Sequence, residues 1–316
     1  MATAIEKVSV SDAIADALVT AGVTHVFGGH GATVVPLINA IVRHPKLTWV
    51  YMRNETNASL AAAAYAKLTG NLGVCVATSG PGATYLVTGL IDGDLDKVPM
   101  LALTGLKSTH SVGSGSFQDI RQAQLIAAGG LGWSKACMSD NSVMPMLKSA
   151  MHYAADKQAA THLAIPVDVL SSRTLPDSNV PRLKTLAERT EENERPLVVD
   201  RSPFDLSSLK LEVSHAKVEQ AAELLSDPRT RTVICLGHRA AIACCGEEVL
   251  SLAETLNAPV VTLLDGKGTV DETHPLSAGV IEIFGNPGLE ASRALVVSAD
   301  VAILIGVDRA DDVVQV

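Results

Sequence analysis

Short apolar runs alternate with amphipathic stretches along most of the chain. The apolar runs predict five strands in the first half, at 24–27, 47–52, 72–78, 100–104 and 162–169. The stretches between them, such as the one that Ser11 and Asp12 can cap, have apolar positions at helical spacing. Strands that alternate with helices indicate a parallel sheet covered on both faces. The first half is therefore predicted to be a doubly wound α/β domain.

The same alternation returns in the second half after an interruption. Prolines and charges dominate 173–211, so this segment is predicted to be a linker. Beyond it, the pattern predicts strands at 232–236, 259–262 and 301–305 and helices at 216–225, 247–256 and 287–298. We therefore expect two doubly wound parallel-sheet domains, over 1–172 and 212–316, the second incomplete at its C-terminal end.

Composition narrows the functional classes. Apolar residues make up 47% of the chain and aromatic residues 3%, which is typical of buried parallel strands packed on small helix residues. The net charge of −9, without any Lys/Arg cluster, excludes a nucleic-acid surface. No stretch is apolar enough to predict a membrane span. Cys75 and Cys235 fall within apolar strand runs, so we expect reduced thiols and an intracellular, cytoplasmic protein.

Two motifs stand where predicted strands run into helices. Glu55 opens an Ala-rich helix, and Ser79-Gly80-Pro81-Gly82-Ala83 follows the next strand. Taken alone, a glutamate in a first helical turn is more often a complement to the helix dipole. A Gly-Pro-Gly segment alone is more often an ordinary turn. At the carboxyl edge of one parallel sheet, however, the two motifs would lie in the region where ligands collect.

These motifs are part of a longer resemblance, from about Val8 to the last residue. With Gly89–Asp92, Asp96–Pro99 and Gly113–Gln118, they resemble the pyrimidine-binding domain of the thiamine-diphosphate enzymes of the acetolactate synthase and pyruvate oxidase type. In that family one glutamate hydrogen-bonds the aminopyrimidine ring of thiamine diphosphate and so promotes loss of the C2 proton. The resemblance assigns this catalytic role to Glu55.

The resemblance also implies which residues surround the cofactor and the substrate. The expected cofactor contacts, beside Glu55, are Gly28, Gly29, Ser79, Gly80, Pro81, Gly82 and Tyr85. His30, Phe117 and Gln118 are expected near the substrate, a 2-oxo acid such as pyruvate. Simpler interpretations stay open: His30 as a polar surface residue, and Phe117-Gln118 as a polar loop with one buried phenylalanine.

The remaining cofactors are not assigned to side chains. The family holds Mg²⁺ and the diphosphate with a Gly-Asp-Gly segment followed by Asn, and this sequence has no such segment. No metal ligand is therefore predicted here, and Mg²⁺ is expected only through a missing domain or a partner. The second domain resembles the family's Rossmann-like central domain, where some members bind FAD. FAD is left open, since Arg239 stands where a flavin-binding loop often has a small residue.

Two departures from the family keep other functions open. Asn54 stands where the family usually has a histidine, and Tyr85 where Asn or His usually follows the Gly-Pro-Gly loop. The chain is thus expected to be a portion of a decarboxylase, oxidase or carboligase that is inactive alone. The alternative is a non-catalytic scaffold or regulatory subunit derived from the family. A nucleotide-binding protein that uses only the second domain is a further alternative, which Arg239 disfavours.

The family's sites form between subunits, so a homo-oligomer, dimer or tetramer, is expected through the first domain. Two helices near the predicted cleft are rich in small and apolar residues, which predicts an apolar patch for a twofold partner. These residues are Ala58, Leu60, Ala61, Ala62, Ala63, Ala64, Ala83, Leu86, Val87, Leu90 and Ile91.

Overall fold

The computed structural model describes residues 8–174, 214–227, 229–243, 245–283, 286–288 and 290–307. Residues up to 174 belong to one compact unit and those from 214 to a second. Most of the predicted linker, 175–211, lies outside the described residues. No described helix combines the length and apolar character that crossing a bilayer requires.

The first unit alternates strands and helices as predicted. Its elements are β1 (Val8–Ser9), α1 (Val10–Thr20), β2 (His25–Gly28), α2 (Val35–Arg43), β3 (Thr48–Tyr51), α3 (Glu55–Thr69), β4 (Gly73–Ala77), α4 (Pro81–Tyr85), α5 (Val87–Leu95), β5 (Met100–Leu106), α6 (Gln122–Ala128), β6 (Trp133–Ala136), α7 (Asp140–Lys157), β7 (Ala160–Pro166), α8 (Val167–Ser171) and β8 (Arg173–Thr174). The short strands β1 and β8 pair antiparallel, so the first and last described segments of the unit lie side by side.

Six of these strands form one parallel sheet in the order β3-β2-β4-β5-β7-β6. The central strands β4, β5 and β7 are buried throughout, which explains why their sequences are predominantly apolar. One face of the sheet packs on α1, α2 and α7, and the other packs on α3 and α5. The predicted doubly wound α/β fold is confirmed for this unit.

The strand order locates the crevice of the first sheet. The chain passes from β2 to β3 on one side and from β4 to β5 on the other. In open α/β sheets, ligands bind outside the carboxyl ends of the strands where the order reverses in this way. The loops that follow β2 and β4 border that point. They contain Gly29 and Gly80–Gly82.

The second unit is a smaller α/β sheet. Its elements are α9 (His215–Leu225), β9 (Thr232–Leu236), α10 (His238–Ala243), α11 (Gly246–Leu256), β10 (Val260–Thr262), a 3-10 turn (Leu264–Gly266), β11 (Ser277–Ile283), β12 (Asn286–Gly288), α12 (Glu290–Ser298) and β13 (Val301–Ile305). The strand order is β12-β11-β10-β9-β13, parallel except for β12 at one edge. This confirms the α/β class of the second domain.

Several details differ from the sequence-based expectation. The helix predicted from 287 begins at Glu290, because Asn286–Gly288 pairs antiparallel with β11. The strands β6 and β11 were not predicted. Strand β6, Trp133–Ala136, is an edge strand with mixed polarity, so its sequence lacks a strong apolar run.

The apolar patch expected for a twofold partner is also smaller than predicted. Six of its eleven residues lie fully buried inside the unit: Ala58, Ala62, Ala63, Ala83, Leu86 and Leu90. The reason is close packing of α3 on α5, where Gly89 has no room for a side chain against Ser59 and Leu60. The prediction that these helices expose a large apolar surface is wrong.

Candidate functional site

Glu55 is the first residue of α3, and it follows the carboxyl end of β3 by four residues. The side chain of Asn54 caps this helix by accepting a 2.8 Å hydrogen bond from the Thr56 amide. Asparagine is among the best residues for that purpose, since its oxygen satisfies an amide that has no partner within the helix. Asn54 thus fixes the start of the helix and the direction of the half-buried Glu55 side chain.

The carboxylate of Glu55 lies between two glycines of the crevice loops. A Cβ atom added to Gly29 would come within 3.2 Å of Glu55 Oε1, and one added to Gly82 within 3.3 Å. Any larger side chain at either position would fill the space beside the carboxylate. The structure therefore brings Glu55 and the Gly80–Gly82 loop together, in the placement that the sequence predicts.

The other residues after β2 have different surroundings. Gly28 packs inside the sheet, where a side chain would collide with Val76 and the Trp49 ring. His30 is exposed, and its ring centroid lies 5.1 Å from that of Tyr51. Gly28 therefore serves close strand packing, whereas Gly29 lies beside Glu55 and His30 lies at the surface against Tyr51.

The loop after β4 directs two successive amides, those of Ser79 and Gly80, into the protein. The Ser79 N–H donates to Thr33 Oγ1 at 2.9 Å, and the Gly80 N–H donates to Gln122 Oε1 at 3.2 Å. These amides are not free to bind a phosphate, so the loop is built to line a pocket and not to cradle an anion. The Ser79 hydroxyl is buried without a hydrogen-bond partner, which is uncommon for a polar group.

Gln118 is held against this loop. A Cβ atom added to Gly80 would lie 2.9 Å from Gln118 Cβ, and both residues have a positive φ, 71° and 64°. Phe117 is 81% exposed. The alternative of a loop with one buried phenylalanine is therefore wrong. Gln118 lies next to the crevice loop, and Phe117 lies on the surface beside it.

Tyr85 ends α4 beside the first turn of α3. Its carbonyl accepts a 2.9 Å hydrogen bond from Thr56 Oγ1, and its side chain is 51% exposed. This bond ties the loop helix to the turn that carries Glu55. The side chain itself is left at the surface near the site.

Gln122, Thr104 and His162 are site-adjacent residues that sequence reasoning missed. All three are buried beneath the Gly80–Gly82 loop and hydrogen-bonded to one another in series. None belongs to a recognisable motif, and they come from α6, β5 and β7. A buried polar residue in an otherwise apolar strand, such as His162 in β7, is the signal that could have indicated them.

The donor set fits the aminopyrimidine part of thiamine diphosphate. One carboxylate lies beside two glycines that have no side chain to crowd it, and the buried hydroxyl of Ser79 has no hydrogen-bond partner. No cluster of three or more His, Cys, Asp or Glu side chains that could hold a metal ion occurs among the described residues. Asp92 and Asp94 are already engaged, with Lys67 and with the Ala160 amide.

The equivalent edge of the second sheet is filled by backbone. The Arg239 amide, at the start of α10, donates to the Gly306 carbonyl at 3.0 Å, and the Ala240 amide donates to the Gly237 carbonyl at 3.1 Å. A dinucleotide would need such amides for its phosphates. This packing does not favour a flavin diphosphate at α10.

Comparisons with known proteins agree with this geometry. Residues 8–125 match the family model for the N-terminal TPP binding domain of thiamine pyrophosphate enzymes, and residues 218–315 match the model for their central domain. An acetolactate synthase of Arthrospira platensis is 31% identical over 98% of this chain and 50% of its own length. The large subunit of Escherichia coli acetolactate synthase isozyme 2 is 31% identical over 95% of this chain and 49% of its own.

A shorter relative also matches. The "Uncharacterized 42.6 kDa protein in isoamylase 3'region" of Pseudomonas amyloderamosa is 28% identical over 95% of this chain and 69% of its own length. The chain spans about half the length of the acetolactate synthases that it matches. Both matched models describe one family, and each match lies within one of the two α/β units. The chain belongs to the thiamine pyrophosphate enzyme family, with that family's N-terminal TPP-binding domain and central domain.

Proposed function

We propose that this chain forms the pyrimidine-binding and central domains of an enzyme that uses thiamine diphosphate to decarboxylate a 2-oxo acid. Acetolactate synthase or pyruvate oxidase would be a functional analogue of that enzyme. One observation carries the proposal: the Glu55 carboxylate faces Gly29 and Gly82 at the point where the sheet order reverses. Glu55 is also the only glutamate between residues 8 and 174, so no second carboxylate of this type competes for the role.

The chain's own residues would orient the aminopyrimidine ring. Thiamine diphosphate, when bound, supplies the electron sink that the decarboxylation of a 2-oxo acid needs. Glu55 would share one proton with a ring nitrogen through Oε1, donating the hydrogen bond when the carboxyl is protonated and accepting it when the carboxyl is ionised. Gly29 and Gly82 would admit the flat ring beside the carboxylate, and the unpartnered Ser79 hydroxyl would offer one more hydrogen bond. Gly80, Pro81 and Tyr85 would complete the predicted wall.

The substrate end of the site would involve the exposed residues around the loops. Gln118 is positioned by its contact with Gly80, so it can present its amide to a 2-oxo acid. His30 and Phe117 are exposed in this structure, and we propose that they contact substrate when the site is completed. Pyruvate is the simplest such substrate.

The site would be completed by groups other than the side chains around the crevice loops. We propose that a further segment or a partner subunit supplies the anchor for the diphosphate and Mg²⁺. The assembly would be a homo-oligomer, dimer or tetramer, formed through the first domain, with domain limits at 1–172 and 212–316 and a linker between. We place it in the cytoplasm, because the buried cysteines Cys75, Cys137 and Cys235 are unpaired thiols.

A non-catalytic scaffold or regulatory subunit is the second candidate. Asn54 and Tyr85 favour it, because both have structural tasks here: Asn54 caps α3, and the carbonyl of Tyr85 ties α4 to that helix. The retained Glu55 favours the catalytic proposal. The two candidates differ in whether Glu55 contributes to cofactor binding.

Replacement of Glu55 by glutamine tests the proposal. Thiamine diphosphate with Mg²⁺ is titrated into the isotope-labelled chain, and the amide resonances of Gly29 and Gly82 are followed by NMR. Binding to the native chain should be weak, because the diphosphate lacks its anchor. We expect a dissociation constant in the millimolar range, which corresponds to a binding free energy of roughly 4 kcal/mol. Glu55→Gln should weaken it at least about tenfold, because a charge-assisted hydrogen bond is lost.

Glu219→Gln is the matched control, since Glu219 lies exposed on α9 in the second unit. It should leave the titration unchanged. Saturable shifts at Gly29 and Gly82 that Glu55→Gln does not alter would favour the scaffold candidate. Absence of any shift at these amides would contradict the proposed cofactor site.

A further inference from the structure

A series of buried polar side chains leads from the crevice loop into the sheet. The Gly80 N–H donates to Gln122 Oε1 at 3.2 Å, and Gln122 Nε2 donates to Thr104 Oγ1 and to the Gly105 carbonyl, both at 2.7 Å. Gln122 is 1% exposed. Both ends of its amide are therefore satisfied by the protein, and water has no access to it.

His162 continues the series on the next strand. Its Nε2 lies 2.7 Å from Thr104 Oγ1 and its Nδ1 lies 2.8 Å from Ser134 Oγ, which in turn donates to the Ala123 carbonyl at 2.8 Å. Since the Ser134 proton is used on Ala123, ring Nδ1 must carry a proton and donate to Ser134. Nε2 then accepts the proton of Thr104.

One protonation state satisfies every bond in the series. It is a neutral His162 with its proton on Nδ1. Complete burial also favours the neutral ring, because desolvation lowers the pKa of His162 to about 3. With Thr104 donating to His162, its oxygen is left to accept from Gln122 Nε2. This dictates which end of the Gln122 amide points at Gly80, since a flipped amide would set N–H against N–H.

The loop is tied a second time from the other side of the crevice. The Ser79 amide donates to Thr33 Oγ1, and Thr33 Oγ1 lies 2.9 Å from Thr78 Oγ1. Two successive loop amides are thus held by side chains from two different segments, the turn before α2 and the start of α6. Backbone that is fixed in this way keeps the glycine at position 82 at a constant separation from Glu55.

We propose that Gln122 is a positioning residue for the cofactor site, and that Thr104 and His162 orient it. This rests on the proposed function, in which the Gly80–Gly82 loop borders the aminopyrimidine ring. Gln122 would act through the Gly80 amide and not by contact with the ligand. Its loss should loosen the loop beside Glu55 while leaving the carboxylate itself in place.

Hydrogen exchange at the Gly80 amide measures this directly. Gln122→Met keeps the volume of the side chain but removes its acceptor, so the Gly80 protection factor should fall by roughly tenfold to a hundredfold. Gln124→Met is the matched control, because Gln124 is exposed on the same helix. It should leave Gly80 unchanged. Unaltered Gly80 protection in a folded Gln122→Met chain would overturn the proposal.

Thr104→Val gives a second route if Gln122→Met fails to fold. It removes only the hydroxyl that orients Gln122, and Gln122 keeps its bonds to Gly80 and Gly105. Gly80 protection should fall by a smaller factor, roughly threefold to tenfold. No change in this variant would refute the orienting role of the series.

A pH profile separates positioning from mere space filling. In Gln122→Glu the carboxyl can accept from Gly80 and, when protonated, can also donate to the Gly105 carbonyl. Gly80 protection, corrected for intrinsic exchange, should be near native at low pH and should fall as the carboxyl ionises against that carbonyl. A profile parallel to that of the native chain would contradict the proposal.

Titration with thiamine diphosphate and Mg²⁺ completes the test. Gln122→Met should weaken binding severalfold relative to Gln124→Met, because a mobile loop must be ordered on binding. Equal affinities of these two variants would exclude a role in the site. Failure of the native chain to bind would instead refute the proposed function, whatever the exchange data show for Gly80.

Discussion

Glycines stand at the carboxyl edges of both sheets, but different neighbours occupy the space where their side chains would be. In the first unit, Gly29 and Gly82 face the oxygen of Glu55 at 3.2 and 3.3 Å from an added Cβ atom. In the second unit, an added Cβ at Gly237 would lie 2.5 Å from the Gly306 carbonyl oxygen. In the first arrangement the glycines lie against a side-chain carboxylate, and in the second the glycine lies against backbone.

This difference shows why glycines at a sheet edge do not define a ligand site alone. A glycine permits close approach of any group, whether ligand or main chain. In the second unit the approaching group is the chain segment at Gly306, whose carbonyl takes the Arg239 amide. We therefore expect substitutions at the two edges to affect different properties: stability in the second unit and ligand binding in the first.

The largest effect is expected at Gly306. Gly306→Ala places a Cβ atom against the backbone nitrogen of Ala240 and forces alanine to a φ of 66°. The free energy of unfolding of the second unit should fall by about 3 kcal/mol, from overpacking plus left-handed strain. Native-state hydrogen exchange of the β9 amides would measure it.

Gly268→Ala is the control for that substitution. Gly268 has a φ of 82° but nothing within 4 Å of its added Cβ atom, so it reports backbone strain alone. Gly268→Ala should lower the free energy of unfolding of the second unit by about 1 kcal/mol. Equal losses in both variants would show that the close contact at Gly306 contributes nothing, and the comparison between the two edges would fail.

Low pH should destabilise the first unit more than the second. His162 is buried and neutral with a pKa of about 3, whereas an unfolded histidine has its usual pKa near 6.5. Below pH 6.5 the unfolded state takes up the proton first, so stability of the first unit falls with pH until about pH 3. Between pH 6 and 4.5 the loss should be roughly 2 kcal/mol. The described histidines of the second unit are all at least partly exposed.

Tryptophan fluorescence during urea unfolding at several pH values checks this, because Trp49 and Trp133 both lie in the first unit. His162→Gln should remove most of the pH dependence between 6 and 4.5, whatever its effect on stability at pH 7. His30→Gln, at an exposed histidine, should retain it. A slope that survives in His162→Gln would assign the acid sensitivity to other groups.

The smallest effect on stability is expected at Gly29. The nearest atoms to an added Cβ are Glu55 Oε1 at 3.2 Å and the Met52 carbonyl oxygen at 3.4 Å, so the fold can accommodate alanine. Gly29→Ala should change the free energy of unfolding by less than about 1 kcal/mol. Its methyl group would occupy ligand space, so the affinity for thiamine diphosphate should fall at least roughly tenfold. A large loss of stability with unchanged affinity would reverse the comparison.

Much of the fold was predictable because local patterns and tertiary structure agree. The strands Thr232–Leu236 and Val301–Ile305 have the predicted limits, since apolar runs bounded by polar residues leave little choice of register. The antiparallel strand Asn286–Gly288 was not predicted, because only its pairing with β11 makes it a strand. The exposure of Phe117 was likewise invisible in its sequence.

The sequence by itself determined the α/β alternation, the two-unit organisation and the placement of Glu55 and the Gly80–Gly82 loop at one sheet edge. These follow from hydrophobic periodicity and from the rule that parallel strands end on the same side. Only the tertiary structure decided which glycines face a carboxylate and which face backbone. It also decided that Gln122 and His162, 40 residues apart, form one hydrogen-bonded series through Thr104. Such contacts join elements that are distant along the chain, so no local pattern records them.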